Sequence, residues 1–419
     1  MIRSTIGLLV AAVALVAPSI AKADTVTDWN QTMIAGLESA HVTPQPSARI
    51  AAIVQASVFD ALNGIERRYT PYHVDAAAPR GASQEAAIAS SAYTALVALI
   101  PSQKPLFDQQ LAATLGQISD DPNDPGQSVL RGLDWGKTVA NDILAWRADD
   151  GINAVLPPYV IGTAPGDWQP TPPSFATTPI ARQFANMTPF AMTSPSQFLP
   201  GGPPPLTSAR YAQDLGEVQT LGSVTSTVRT AEQTQIAVFW QVDTPAAMWN
   251  RVADQLAAAN ETTLNQNARL LAFANIAMAD ATIGIFNAKN HYNSWRPVTA
   301  IRAMLDPTWS PLLATPAHQE YPSAHAGLSS AFAAVLASFY GDDTSFAVTS
   351  AGLPGVERDF MSFSSALHQI EDARIYAGFH FRFSCADGTA LGTEVGDYVM
   401  RTLMQPVHGD EVGQLSGGD

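Results

Sequence analysis

From Trp29 to about Trp146, and again from Ser208 to about Met404, apolar residues return at the spacing of one helix face, and alternating stretches long enough for strands are scarce. Ile50, Ile53, Val54, Ser57, Val58, Ala61 and Leu62 form one such stripe, with Ser47 as its expected cap. The tract between them has another character: Pro157-Pro158, Pro172-Pro173 and Pro203-Pro204-Pro205 stand among Gly, Thr and Ser. That composition predicts an irregular connection laid over helices. The pattern predicts a mainly α protein of two helical bundles packed as one unit. The expected divisions are a bundle over 24–150, the proline-rich connection over 151–206, a second bundle over 207–405 and a polar, Gly-rich tail over 406–419.

Residues 1–23 read as a secretory signal peptide. Arg3 precedes an apolar run from Ile6 to Ala17, and Ala21-Lys22-Ala23 supplies a small-residue cleavage site before Asp24. The run falls short of the roughly 20 residues that a membrane span requires. The expected product is periplasmic or secreted. Cys385 is the only cysteine, so the chain has no internal disulfide to form in an oxidising compartment.

Acids outnumber bases 37 to 22, a formal net charge of −15. Such a chain repels nucleic-acid backbones and anionic lipid surfaces, so neither is an expected partner. A compact group of bases inside it needs a reason of its own. Beyond the signal the only lysines are Lys104, Lys137 and Lys289. Lys289 stands in the stretch that also holds Arg296, Arg302, Arg374, Arg382 and five histidines: His291, His318, His325, His368 and His380.

Three short motifs stand out there. Lys289 and Arg296 lie seven residues apart, two turns along one helix face, with Pro297 ending the run. Ser323, in Tyr321-Pro322-Ser323-Ala324-His325, reads as the cap of an apolar helix from Ala326 to about Phe339, whose first N–H groups would face an anion. Arg374 precedes His380 by six residues across a Gly-containing break. Lysine and arginine donors, a hydroxyl, a backbone N–H and two histidines make an inventory for holding a tetrahedral oxyanion. Cations in the same pocket oppose a zinc site, and no HExxH spacing is present.

The ordered set Lys289-x6-Arg296-Pro297, Pro322-Ser323-Ala324-His325 and Arg374-x5-His380 resembles the three-part signature of the vanadium haloperoxidase and type 2 phosphatidic acid phosphatase superfamily, in its secreted bacterial haloperoxidase-like branch. Val26 to Asn30 and Ala56 to Tyr72 are similar to the N-terminal region of those members. The resemblance implies vanadate as cofactor, with phosphate as a competing oxyanion. His380 would bind its vanadium, and Lys289, Arg296, Ser323, the Ala324 N–H and Arg374 would neutralise its oxygens. His325 would be the acid–base residue for hydrogen peroxide, which Lys289 polarises toward halide. In the phosphatase version, a soluble enzyme acting on a small phosphate ester, His380 attacks phosphorus and His325 protonates the leaving alcohol. A non-catalytic oxyanion-binding protein is the third reading.

Three positions depart from the family pattern: Ala324 for Gly, Ala373 for Ser, and Ser384 where the family often has Asp four residues after the histidine. Support for His380 then falls to another group, a backbone carbonyl, Asp372 or Asp387. His318, five residues before Ser323, stands where bromoperoxidases of the family carry His, and Phe286 stands where an aromatic often borders the halide side. Both are halide-side candidates, and bromide is the favoured halide.

Overall fold

The computed structural model describes residues 24–119, 124 and 126–407. The signal peptide, and the expected tail beyond residue 407, lie outside the described residues. Five helices precede the connection: α1 (Thr25–Ser39), α2 (Pro44–Glu66), α3 (Gln84–Leu99), α4 (Lys104–Gln117) and α5 (Gln127–Trp146). Eight follow it: α6 (Ala209–Leu221), α7 (Ala231–Val242), α8 (Pro245–Ala259), α9 (Leu264–Tyr292), α10 (Pro297–Met304), α11 (Ala324–Tyr340), α12 (Phe363–Tyr376) and α13 (Arg382–Thr402). Between α11 and α12 lies an antiparallel hairpin, β1 (Phe346–Thr349) with β2 (Glu357–Phe360).

Helix ends follow local chemistry. Asp24 caps α1 in a reciprocal capping box with Thr27, and Thr230 and Thr263 do the same for α7 and α9. Helix α2 starts earlier than its apolar stripe predicts, because Pro44 suits the first helical position. Ser47 is therefore inside the helix, where its hydroxyl bonds back to the carbonyls of Val42 and Thr43. The expected helix beginning at Ala326 likewise starts at Ala324.

One continuous apolar core runs through both helical tracts, joining α1, α2, α3 and α5 to α8, α9 and α11–α13. Helix α9 lies at its centre. It is long and apolar enough to cross a membrane, yet 94% of its most apolar window is buried inside the protein. Its polar side chains are satisfied there: Asn275 exchanges hydrogen bonds with Asn250 of α8 at 2.8 and 2.9 Å. A seam of small residues lets α13 approach α11, since a Cβ on Gly392 would meet the Gly327 carbonyl at 2.0 Å. This contact fixes the start of α11 beside the start of α13, where the Ser323 N–H donates to the Ser384 carbonyl at 3.0 Å.

The proline-rich connection is irregular apart from a 3-10 turn at Arg182–Asn186. Asp280 of α9 ties it down by accepting from the N–H groups of Phe190, Ala191 and Met192 at 2.6–2.8 Å. Asp60 of α2 holds the loop at Tyr72, His73 and Val74 in the same way. Burial pushes each carboxyl up to about 6 against the pull of its three donors, so both are ionised at pH 7.5. Asp280→Asn keeps the shape but replaces one acceptor oxygen with a donor facing N–H groups. We expect it to cost about 2–4 kcal/mol in urea unfolding at that pH. A loss below about 0.5 kcal/mol would contradict this account of how the connection is anchored.

Candidate functional site

The second and third motifs meet where α11 and α13 begin, and Lys289 and Arg296 reach the same place by a different route from the one their spacing predicts. They do not share a helix: α9 ends at Tyr292, Asn293 turns the chain with φ 48°, and Arg296 is the cap residue of α10. Pro297 at the first position of α10 keeps Arg296 extended, which separates it from the helix of Lys289. Both side chains are fully buried. The Lys289 ammonium donates to the carbonyls of Gln319 and Glu320 at 2.9 and 2.8 Å.

Arg296 links the two histidine segments. Its Nε donates to the His318 carbonyl at 2.8 Å and its Nη1 to the Phe379 carbonyl at 3.0 Å. Nη1 also lies 3.2 Å from His380 Nε2, and Nη2 lies 3.1 Å from His318 Nδ1. Because guanidinium only donates, His380 Nε2 presents a lone pair, and the ring proton sits on Nδ1. That proton is donated to Glu320 Oε1 at 2.8 Å, an oxygen that also accepts from the Phe381 N–H at 3.0 Å.

Glu320 therefore supports His380, and neither aspartate proposed from the sequence does. Asp387 accepts from the Tyr321 hydroxyl at 2.6 Å, and Asp372 pairs with Arg382 at 2.6 Å on the flank of the fold. The Ser384 hydroxyl, at the position where an aspartate was expected, approaches His380 Nδ1 at 3.4 Å and leaves the carboxylate role to Glu320. Sequence reasoning passed over Glu320, though one signal was present: a lone acid directly before Tyr321-Pro322-Ser323 in a tract with no other charge between Asp306 and Asp342.

Arg374 closes another side. Its Nη2 donates to Gln241 Oε1 at 2.8 Å, its guanidinium lies over the Phe379 ring at 4.9 Å, and its Nε has no partner. Gly378, with φ 82°, makes the break between Arg374 and His380; a Cβ there would stand 2.7 Å from the Gly222 carbonyl. Ser323 caps α11 by position alone: its hydroxyl makes no cap bond, is buried and is unpartnered. His325 Nε2 is also buried and unpartnered. Ala324 is absent from the residues with positive φ, so alanine serves as well as glycine for presenting its backbone N–H.

A 640 Å³ cavity has Ala324, His325, Arg374, His380 and His318 in its wall. Phe286 packs on the His318 ring with centroids 5.5 Å apart. His291 and His368 are exposed, Arg302 donates to the Trp309 carbonyl, and Arg382 pairs with Glu217 and Asp372, so these four lie apart from the cluster.

Electrostatics point to an anion. Burial, reinforced by neighbouring cations, lowers Lys289 well below the ordinary lysine range. Burial brings Arg296 down to about 9 and Arg374 to about 10, and holds His318, His325 and His380 neutral. Burial raises Glu320 to about 7, with Lys289 and Arg296 drawing it back down. Within the cluster Glu320 is the one carboxylate, and it does not balance the two guanidinium groups of Arg296 and Arg374; unpaired buried charge is costly. An oxyanion offsets that excess, and the free polar atoms of Ser323, His325 and Arg374 fit its oxygens. Among the described residues no group of three or more His, Cys, Asp or Glu forms a cage for a metal ion.

Comparison with known proteins agrees with this geometry. Residues 269–409 match the family described as the VCPO second helical-bundle domain. A bacterial vanadium-dependent iodoperoxidase structure is similar with a TM-score of 0.79 and 26% identity, over 91% of this chain and 96% of that one. Apo and holo structures of a bacterial vanadium-dependent chloroperoxidase share the fold at 18% and 17% identity, with TM-scores of 0.67 and 0.68. They align over 84% and 92% of this chain and 93% and 94% of theirs. No curated protein sequence gives a match. Residues 269–409 thus match the second helical-bundle domain of the vanadium chloroperoxidase family, and the chain as a whole shares its fold with bacterial vanadium-dependent haloperoxidases.

Proposed function

We propose that this protein is a vanadate-dependent haloperoxidase that oxidises halide with hydrogen peroxide, bromide being the favoured halide, in the periplasm or outside the cell. One observation carries the reading: the His380 Nε2 lone pair stands among buried cations whose charge Glu320 alone does not balance. In this reading His380 Nε2 is the vanadium ligand, and Arg296, Arg374, Lys289, the Ser323 hydroxyl and the Ala324 N–H hold the oxygens. When bound, vanadate supplies a Lewis-acidic centre that activates peroxide toward halide.

The protein's own groups do the rest. Glu320 keeps the His380 proton on Nδ1 and its lone pair on Nε2. His325, neutral through burial and the nearby cations, is free at Nε2 to take a proton from peroxide and return it to water. Arg296 and Arg374 remain charged at neutral pH despite burial, so the cradle stays positive while protons move. The bromide preference rests on His318 in the cavity wall, backed by Phe286. Export is supported by Asp24, the residue exposed by cleavage after Ala23, which already serves as the cap of α1.

The same cradle suits a phosphoryl group, and a histidine with a carboxylate behind it suits nucleophilic attack, so phosphate-ester hydrolysis is the competing reading. One phosphate-free preparation from the exported fraction, whose N-terminus should read Asp24, separates them. Bromination is expected only with orthovanadate, bromide and peroxide together, with iodide also oxidised and chloride slower. Hydrolysis of p-nitrophenyl phosphate without any vanadate-dependent bromination would replace the reading with the phosphatase. Tight vanadate binding with neither activity would leave an oxyanion-binding protein.

A further inference from the structure

The cavity beside His380 is too large and too apolar for peroxide and halide alone. Its 640 Å³ compares with roughly 30 Å³ for a water-sized occupant and about 300–1,000 Å³ for pockets that hold organic ligands. Above the polar floor, its wall is built by Leu37, Val42 and Pro44 from the α1–α2 turn, with Ile180, Val242 and Leu328. These come from both helical tracts and from the proline-rich connection.

The charges on that wall are already used. Glu38 and Asp243 are bridged by the single Arg251, with 2.6 Å between Arg251 Nη1 and Glu38 Oε1. Gln241 spends its carbonyl oxygen on Arg374. Among the described lining residues the one Lys or Arg is Arg374, in the floor. An occupant of the upper part therefore meets a mainly apolar wall, with His41, Thr43, Gln45 and Thr244 for polar contact, and a charged group there would lose its hydration for little pairing.

Building on the haloperoxidase reading, we propose that this cavity binds the organic acceptor itself, an uncharged, largely apolar, electron-rich molecule of about the size of a bicyclic aromatic, so that halogen is transferred inside the protein. The balance is complete with the peroxide already named. Halide gives two electrons to hydrogen peroxide, which ends as two waters. The acceptor's C–H bond breaks, a C–X bond forms, and the released proton passes to His325 or water. One further proton is taken up from solvent. Enclosure matters because an electrophile made beside a bound acceptor is captured before it diffuses away.

The test uses the full mature protein and two readouts. In vanadate-free protein the neutral naphthalene dye Prodan should bind at one saturable site with a blue-shifted emission. Val42→Trp and Val242→Trp, each filling the upper cavity, should weaken that binding by roughly tenfold or more, while Val155→Trp, at a residue 98% exposed elsewhere, should not. With vanadate, peroxide and bromide, 2-methoxynaphthalene and a phenolsulfonate are supplied together. Their product ratio should favour the apolar acceptor over the ratio that reagent hypobromite gives, and it should return to the reagent ratio in both filled variants when compared at equal peroxide consumed. Val42 is half-buried and Val242 exposed, so both variants should fold, which melting curves check. Dye binding indifferent to both substitutions, or a wild-type ratio equal to the reagent ratio, overturns the proposal. Dye binding lost in the variants of a protein that oxidises no halide overturns the haloperoxidase reading instead, and leaves the cavity as a site for apolar organic molecules.

Discussion

His380→Ala should leave a folded protein whose vanadate-dependent bromination falls by roughly three orders of magnitude or more. The substitution removes the nitrogen lone pair that Glu320 orients toward the cavity and leaves every cation of the cradle in place. The structural cost is bounded: Glu320 keeps the Phe381 N–H, and Arg296 keeps the carbonyls of His318 and Phe379. One lost buried contact pair corresponds to about 1–3 kcal/mol, which a protein with this core tolerates. Calorimetric titration with orthovanadate should show affinity reduced by roughly a hundredfold, since the remaining cradle offers charge without a bond to the metal. Retained bromination with intact vanadate binding would remove His380 from the site.

Glu320 produces the second large effect, and it acts through His380 rather than on substrate. Glu320→Ala frees the imidazole to rotate and to shift its proton to the nitrogen that must stay unprotonated; vanadate affinity should drop by roughly 10–100-fold. Glu320→Gln retains an oxygen that can accept from His380 Nδ1 and the Phe381 N–H, so orientation survives while the negative charge is lost. If orientation is the main contribution, the Gln variant should bind vanadate within roughly fivefold of the parent protein. Equal losses in Ala and Gln would shift the role of Glu320 from holding the ring to balancing charge. An Ala variant that binds vanadate normally would contradict both.

The contrast between Glu320 and Ser384 shows where sequence reading stops. The position four residues after His380 lies on the next helix, within reach of the ring, so a carboxylate is naturally sought there. Helix α13 carries Ser384 at that position, and the carboxylate arrives from sixty residues earlier in the chain, at a loop whose path depends on how α9, α10 and α11 pack. Lys289 and Arg296 give a related lesson. Their spacing suits one helix face, yet Asn293 in the left-handed region ends α9 between them, and they reach the cradle from two helices. Ser323 could be placed at the start of a helix from the sequence, but only packing shows that its hydroxyl makes no cap bond.

The sequence by itself determined that the chain is mainly helical, because apolar periodicity and caps are local properties. It also determined which bases and histidines were worth following, because Lys289, Arg296, Arg374 and the histidines stand out against an acidic chain. Tertiary structure decided the partner of His380, the proton it carries and the apolar room above it. The cavity wall joins residues 37–44, 180, 242 and 328, and the dyad joins residues 320 and 380. No local periodicity encodes contacts between such distant segments; they exist only once the burial of α9 brings the two helical tracts onto one core.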